Sequence, residues 1–218
     1  KVDFGLQYEQ RINSKNKLTL GVTYGLGHDV NRSAAFYNQR IQSGTVISGD
    51  TLNCRNAFQL PHTFGVGLTW AHNNSLRVGA DYTFQKWSNV KFPDVVTPDE
   101  YVTQKGFFAD MHKVSLGAEY IPNPEGMRWR QRVRYRAGLS YATSYAKING
   151  NDGPHDFLAA LGVALPIMNA YNSRSLINFS VQYEHVKPKT AGMITENYIR
   201  FSIGLTFNER WFMKWKVD

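Results

Sequence analysis

The sequence has 218 residues, with 25 Lys and Arg against 17 Asp and Glu, and 42% of the residues are apolar. No run approaches the roughly 18 to 20 apolar residues of a membrane helix, and the single cysteine, Cys54, excludes an internal disulfide. The net charge of +8 is spread through the chain without a recognisable nucleic-acid motif, so nucleic acid is not an expected partner. The mean hydropathy of −0.41 is compatible with a membrane barrel, because only half of each strand faces lipid.

Apolar residues alternate with polar or small residues along most of the chain, which is the pattern of β-strands. It predicts nine strands, within residues 2–11, 18–27, 58–70, 76–85, 112–120, 128–145, 157–167, 177–184 and 199–207. The polar segment 28–57 is expected to hold strand pieces near 39–48, whereas 91–110 is rich in Pro, Asp and Lys and is predicted to be a loop. Residues 211–217 are expected to continue the last strand or to form a short extra piece.

The clearest element is a β-hairpin over residues 58–90. Its two alternating runs each have one apolar side and one polar or small side, and Asn73-Asn74 joins them. Asn tolerates the left-handed backbone of a tight hairpin turn, so these two residues are a credible connection.

The alternation alone fits either a soluble β-sandwich or an outer-membrane barrel, since both have one apolar and one polar side. Two features favour the barrel. Most runs hold for about ten residues, the length that a tilted strand needs to cross a bilayer. Short connections near 13–16, 73–74, 122–127 and 169–174 also alternate with longer ones near 28–57, 91–110, 147–154 and 187–195, as in outer-membrane barrels. The predicted fold is therefore all-β, an antiparallel transmembrane β-barrel of the outer-membrane type.

Charged side chains occur in the middle of the polar sides and are the candidates for the lumen of such a barrel. They are Arg77, Asp81, Lys113, Glu119, Arg132, Arg134, Arg136, Glu184 and Arg200. The three arginines at 132, 134 and 136 would form one column, either to attract anions or, as we favour, to be neutralised by carboxylates such as Glu119. Glu184 and Arg200 are expected to pair across neighbouring strands.

No constellation of residues predicts catalysis. Of the six histidines, His62 and His112 align with the apolar side, and the other four are near strand ends or loops. His155-Asp156 is interpreted as a loop tip, no Ser-His pair converges on one side, and metal-ligand spacing does not occur. The sequence therefore predicts no enzyme, no catalytic or metal-binding residue and no cofactor.

Two segments resemble the FadL-like outer-membrane transport family, which includes long-chain fatty-acid and aromatic-hydrocarbon channels and the PorV relatives. The first has Pro61, Phe64, Gly65, Gly67 and Leu68 before the turn, then Leu76, Val78, Ala80, Asp81, Tyr82, Trp87, Ser88 and Val90 after it. The second is the terminal stretch 204–215.

The resemblance implies the C-terminal part of a barrel of fourteen strands around an N-terminal plug, with residues 1–218 forming one domain. Neither the plug nor the first strands have a counterpart here, so no ligand-binding residue is carried over. The implied function is to transport or bind hydrophobic small molecules in the outer membrane of a Gram-negative bacterium, in contact with its lipid. The alternative is a scaffold or shuttle subunit that binds other outer-membrane proteins in a secretion or assembly machine.

The odd number of strands leads to a further expectation, because single-chain bacterial barrels normally have an even number. We expect the first and last strands not to pair with each other. A small closed barrel, in which 2–11 bonds along 199–207, would contradict this.

Overall fold

The computed structural model of the protein describes residues 1–97, 100–148, 150–167, 175–190 and 192–207. Nine antiparallel strands form one sheet, and each strand pairs with the next one along the chain. The strands are β1 Asp3–Arg11, β2 Asn16–Gly25, β3 Thr63–His72, β4 Leu76–Gln85, β5 Met111–Tyr120, β6 Arg134–Thr143, β7 His155–Ile167, β8 Ser175–Lys187 and β9 Glu196–Thr206. The nine predicted strands and the all-β class are thus confirmed.

The remaining short elements lie in the connections. They are the paired strands His28–Val30 with Phe58–Leu60, Ala34–Gln42 with Thr45–Cys54, Phe92–Thr97 with Glu100–Gln104, and Lys147–Ile148 with Asn151–Asp152, and the 3-10 helices Trp87–Asn89 and Trp129–Arg132. The strand pieces expected near 39–48 are confirmed. The expectation of a plain loop over 91–110 is wrong, since part of it forms a two-stranded ribbon. Residues 211–217 lie outside the part of the chain that is described.

One predicted strand begins later than the alternation suggested. Phe58–Leu60 pairs with His28–Val30 in a separate small ribbon, and β3 starts only at Thr63. Pro61 lies between them and has no N–H to donate to a ladder, so the main strand cannot run through it.

The connections differ at the two ends of the sheet. Residues 12–15, 73–75 and 121–133 join strands at one end, here called the short-turn rim. Residues 26–62, 86–110, 144–154 and 188–195 join them at the other end, the long-loop rim. The connection over 168–174 lies outside the described residues.

One side of the sheet, which we call the apolar wall, is built from the large apolar residues of every strand. The register places Val22, Val66, Tyr82, Val114, Tyr141 and Phe157 opposite one another across six successive strands. These side chains are exposed, and Phe201 on β9 is 80% exposed. Soluble monomers rarely expose a continuous apolar patch of more than a few hundred Å². The apolar wall is therefore the lipid-facing side of an outer-membrane barrel sheet.

The other side, the polar wall, carries small and polar residues. In β3 its Thr63, Gly65, Gly67 and Thr69 are half-buried, whereas the intervening apolar side chains are exposed. The sheet thus curves toward the polar wall. A Cβ at Gly67 would collide with the Asp81 carboxylate, and one at Gly65 would collide with the Thr23 hydroxyl. Glycines make room here for polar side chains from adjacent strands.

The two edge strands of the sheet do not meet. Within the described residues β1 pairs only with β2, and β9 pairs only with β8. The expectation that the first and last strands stay apart is confirmed, and the small closed barrel is contradicted. Among the described residues, no helix has the length and apolar character required to cross a membrane.

The hairpin turn provides a local test of the fold. The connection has three residues, Asn73 to Ser75, and not the two that were expected, because His72 pairs with Leu76. Asn73 and Asn74 have φ values of 50° and 53°, and a left-handed backbone costs an ordinary L-residue roughly 1–2 kcal/mol. Asn73→Val is expected to lower the free energy of unfolding by about that amount, because valine is β-branched. Asn74→Gly should leave it unchanged or raise it. Urea titration of the protein in detergent measures both, and equal effects of the two substitutions would contradict the turn.

The apolar wall provides a second test. We expect the protein to fractionate with outer membranes, to require detergent for extraction, and to migrate differently on a gel before and after boiling. A protein that is soluble without detergent and migrates identically in both lanes would show that the apolar wall does not face lipid.

Candidate functional site

The polar wall carries an ion-pair cluster near the short-turn rim. Glu119 on β5 accepts a hydrogen bond from Arg136 Nε at 2.7 Å, and Arg134 Nη1 lies 3.8 Å from its other oxygen. Arg77 on β4 is directly opposite Glu119 in the register. Arg136 Nη1 also donates to Asn178 Oδ1 at 3.2 Å. One carboxylate thus lies beside two guanidinium groups, and the predicted pairing of Arg134 and Arg136 with Glu119 is confirmed.

Arg132 does not belong to this column. It ends the 3-10 helix Trp129–Arg132, outside β6, and its Nε donates to the carbonyl oxygen of Gly126 at 2.6 Å. The alternation of Arg132, Arg134 and Arg136 suggested a longer strand, but residues Trp129–Arg132 form a 3-10 helix instead. The expected column of three arginines is therefore wrong, and two of them remain on the strand.

A second charged cluster lies on the polar wall near the long-loop rim. Arg200 Nη2 forms an ion pair with Glu184 Oε2, as predicted. Asp156 on β7 interacts electrostatically with Glu184 and with the cations Lys113 and Arg200. Two carboxylates and two cations therefore balance one another in this part of the polar wall.

The predicted loop tip at His155-Asp156 is wrong, because β7 begins at His155. The two side chains lie on opposite sides of the sheet. His155 is on the apolar wall and Asp156 on the polar wall, since successive residues of a strand alternate. The alternation of apolar and polar or small residues over 157–167 extends back to these two residues. The adjacent Gly153-Pro154 is typical of a loop, which is why a loop tip was predicted.

The register places eight of the nine charged candidates on the polar wall, all except Arg132. Arg77, Asp81 and Lys113 form no ion pair within the described residues. No group of three or more His, Cys, Asp or Glu in the described part of the chain is placed to hold a metal ion.

The connection between β4 and β5 is fixed at its base. Lys86 Nζ lies 2.7 Å from Asp110 Oδ2, and the Ser88 backbone N–H donates to Asp110 Oδ1 at 2.9 Å. Burial would raise the pKa of Asp110, but these hydrogen bonds outweigh it and the pKa lies below its usual value. The ring of Trp87 stacks on Tyr145 at 4.3 Å between centroids. These contacts join two neighbouring long connections.

The sequence interpretation missed a set of polar pairs on the apolar wall at the long-loop rim. Tyr24 and His62, and Tyr82 and His112, are joined by hydrogen bonds of 2.8 Å. Tyr141 is bonded to His155 in the same way. The histidines were considered one by one in the sequence, whereas the signal is a tyrosine before and a histidine after each of the first three long connections.

The cluster around Glu119 predicts a stability effect. Glu119→Gln leaves Arg134 and Arg136 without a charged partner and is expected to lower the free energy of unfolding by about 1 kcal/mol, since the two arginines are partly exposed. Asp81→Asn is the matched control on the same wall and should have little effect. Urea titration of both variants tests this. Equal losses would show that the ion pairs contribute nothing specific.

The fold is similar to that of a solved structure titled CymD monoaromatic hydrocarbon channel, with a TM-score of 0.56 and 21% sequence identity. The alignment covers 92% of this chain and 49% of that chain, so the present chain spans about half the length of that channel. The likeness shows a shared β-barrel fold.

A comparison with curated protein sequences finds no match. The family model described as BamG, in contrast, matches residues 1–218. This match extends over every strand and both charged clusters. The chain therefore belongs to the BamG family.

Proposed function

We propose that this protein is a barrel subunit of an outer-membrane protein assembly complex in a Gram-negative bacterium, and that it binds protein partners rather than conducting a solute. The BamG family match over the whole chain supports the link to an assembly complex. The proposal assigns no catalytic step, metal or cofactor to the barrel.

The observation that carries the proposal is the ribbon formed by Ala34–Gln42 and Thr45–Cys54. Its base is packed, since Cys54 and Ala57 are buried. Its outer part is exposed on nearly every residue of both strands. Four large hydrophobic side chains project from it: Tyr37 is 72% exposed, Ile41 61%, Ile47 53% and Val46 50%.

Such a ribbon is a suitable docking element. An isolated two-stranded ribbon is only marginally stable in water, and its unpaired backbone edges can add a strand from a partner. Covering Ile41 and Ile47 would remove two large apolar side chains from water, each worth roughly 1.5–3 kcal/mol when fully buried. A partner protein at the long-loop rim would therefore stabilise the ribbon.

The second candidate is transport of a hydrophobic small molecule, as in a FadL-like channel. The fold shared with a hydrocarbon channel favours it. The polar wall opposes it, because its middle carries mainly Gly, Ser and Thr with the charged Asp81, and further charged side chains lie toward its ends. An apolar solute gains little from such a surface, since binding sites for apolar molecules are lined mainly by apolar side chains.

Both candidates require the sheet to be closed. The free edges of β1 and β9 would leave backbone N–H and C=O groups unpaired in hydrocarbon, at several kcal/mol each. We propose that about five further strands complete a barrel of fourteen. In that barrel the polar wall faces the lumen, together with the charged residues on it.

The ribbon gives the decisive experiment. The double substitution Ile41→Ser and Ile47→Ser is expected to reduce recovery of the assembly complex with the tagged protein from solubilised outer membranes by at least about tenfold, because roughly 1.4 kcal/mol corresponds to a factor of ten. The matched control is Gln42→Ser with Thr45→Ser, at the same tip, which should leave recovery unchanged. Mass spectrometry of the recovered complex measures the effect.

A gel shift on boiling establishes that both variants fold. Undiminished recovery with the isoleucine variant would contradict the docking role. If, in addition, the protein reconstituted in vesicles accelerated uptake of an aromatic hydrocarbon, the second candidate would replace the first.

A further inference from the structure

Each of the four long connections is bracketed at its base by a pair of side chains on the apolar wall. A tyrosine near the end of the preceding strand contacts a residue near the start of the next one. The pairs are Tyr24–His62, Tyr82–His112, Tyr141–His155 and Tyr183–Asn197. In every case the second residue lies two positions before the register partner of the tyrosine. A tyrosine contact of the same geometry thus recurs at every second connection between strands.

The hydrogen-bond partners determine which ring nitrogen carries the proton. In His62, Nδ1 accepts from the Gly27 backbone N–H at 3.3 Å as well as contacting the Tyr24 hydroxyl. A backbone N–H can only donate, so Nδ1 is the acceptor and a neutral ring carries its proton on Nε2. Where the Tyr141 O–H donates to Nδ1 of His155 in the same way, a neutral His155 ring has its N–H at Nε2. That donor has no partner among the described residues.

The pair at Tyr141–His155 belongs to a polar patch that spans neighbouring strands and contains one cation, Lys187. Lys187 is directly opposite His155 in the register, and His185 is opposite Phe157, the next residue on this wall. His185 Nδ1 donates to Asn197 Oδ1 at 2.7 Å, because an amide oxygen can only accept, so a neutral His185 ring carries its proton on Nδ1. Lys187 is exposed and has no ion-pair partner in the described ranges. The nearby carboxylate of Asp152 is bound by Lys189 at 3.0 Å.

The patch lies where the lipid-facing surface ends. From His155 to Leu165 the strand β7 rises about 26 Å along the membrane normal, taking about 3.4 Å per residue and a tilt of about 40°. The apolar band of outer-membrane barrels is about 25 Å tall. His155 and Lys187 are therefore at the height of the lipid headgroups of one leaflet, on the side of the sheet that faces lipid.

We propose that His155 and Lys187 form a binding site for the phosphate of a membrane lipid headgroup at the long-loop rim. Hydrocarbon cannot satisfy these two donors, whereas a phosphate accepts a charge-assisted hydrogen bond from Lys187 and a second hydrogen bond from the imidazole N–H of His155. The acyl chains of the same lipid lie against the apolar residues below, such as Phe157 and Leu161, which are both exposed. The site is independent of whether the barrel binds proteins or conducts a solute.

The test uses the full-length protein in mild detergent, with lipid A as the probe and native mass spectrometry to count bound molecules. The double substitution His155→Gln and Lys187→Gln is expected to weaken lipid A binding at least fivefold. The matched control, His28→Gln with Lys91→Gln, removes a histidine and a lysine outside the patch and should bind as the unaltered protein does.

Lys187→Gln alone provides a milder variant, whose expected loss is at least twofold and whose folding is checked by the gel shift on boiling. The proposal is overturned if the patch variants retain full binding or if the control loses as much as they do. Displacement of lipid A by millimolar inorganic phosphate would also overturn it, since the site would then be one for free phosphate.

Discussion

The need to satisfy every backbone hydrogen bond away from water is the constraint on which this structure depends. In hydrocarbon an unpaired N–H or C=O costs several kcal/mol, and the ladders between paired strands satisfy these groups. Here nine strands pair in chain order over runs of 9 to 13 residues. Once the hydrogen-bonded ladders are fixed, successive side chains along each strand lie on opposite sides of the sheet. The apolar wall and the polar wall follow directly from that geometry.

The two walls differ in the side chains that they carry and in the contacts of those side chains. On the apolar wall the side chains match the lipid, and polar groups occur only at the rims, where tyrosine hydroxyls bond to histidine or asparagine. The polar wall carries charged side chains, and Glu119 and Glu184 there lie beside arginines of adjacent strands. Glycine and threonine between them keep the wall thin enough for these long side chains to lie across neighbouring strands.

The alternation of the sequence was sufficient to predict the strands, the hairpin turn at Asn73-Asn74 and the pairing of Glu119 with arginines, because each depends on a period of two and on local register. It failed where another local preference interrupted that period. Proline at position 61 moved the start of β3, and a turn of 3-10 helix removed Arg132 from the arginine column. The Tyr–His pairs were missed because their partners are separated by entire loops, and only the register of the folded sheet brings them together.

The strictly sequential strand order has a consequence for how such a sheet is made and altered. Every ladder joins neighbours along the chain, so closing each one costs little chain entropy and the sheet can grow by one hairpin at a time from an existing edge. Contacts of short sequence separation favour rapid folding. Duplicating or deleting one hairpin would alter the girth of the barrel and leave the remaining ladders as they are. The loop ribbons, attached only at the rim, can lengthen or shrink without any change in that girth.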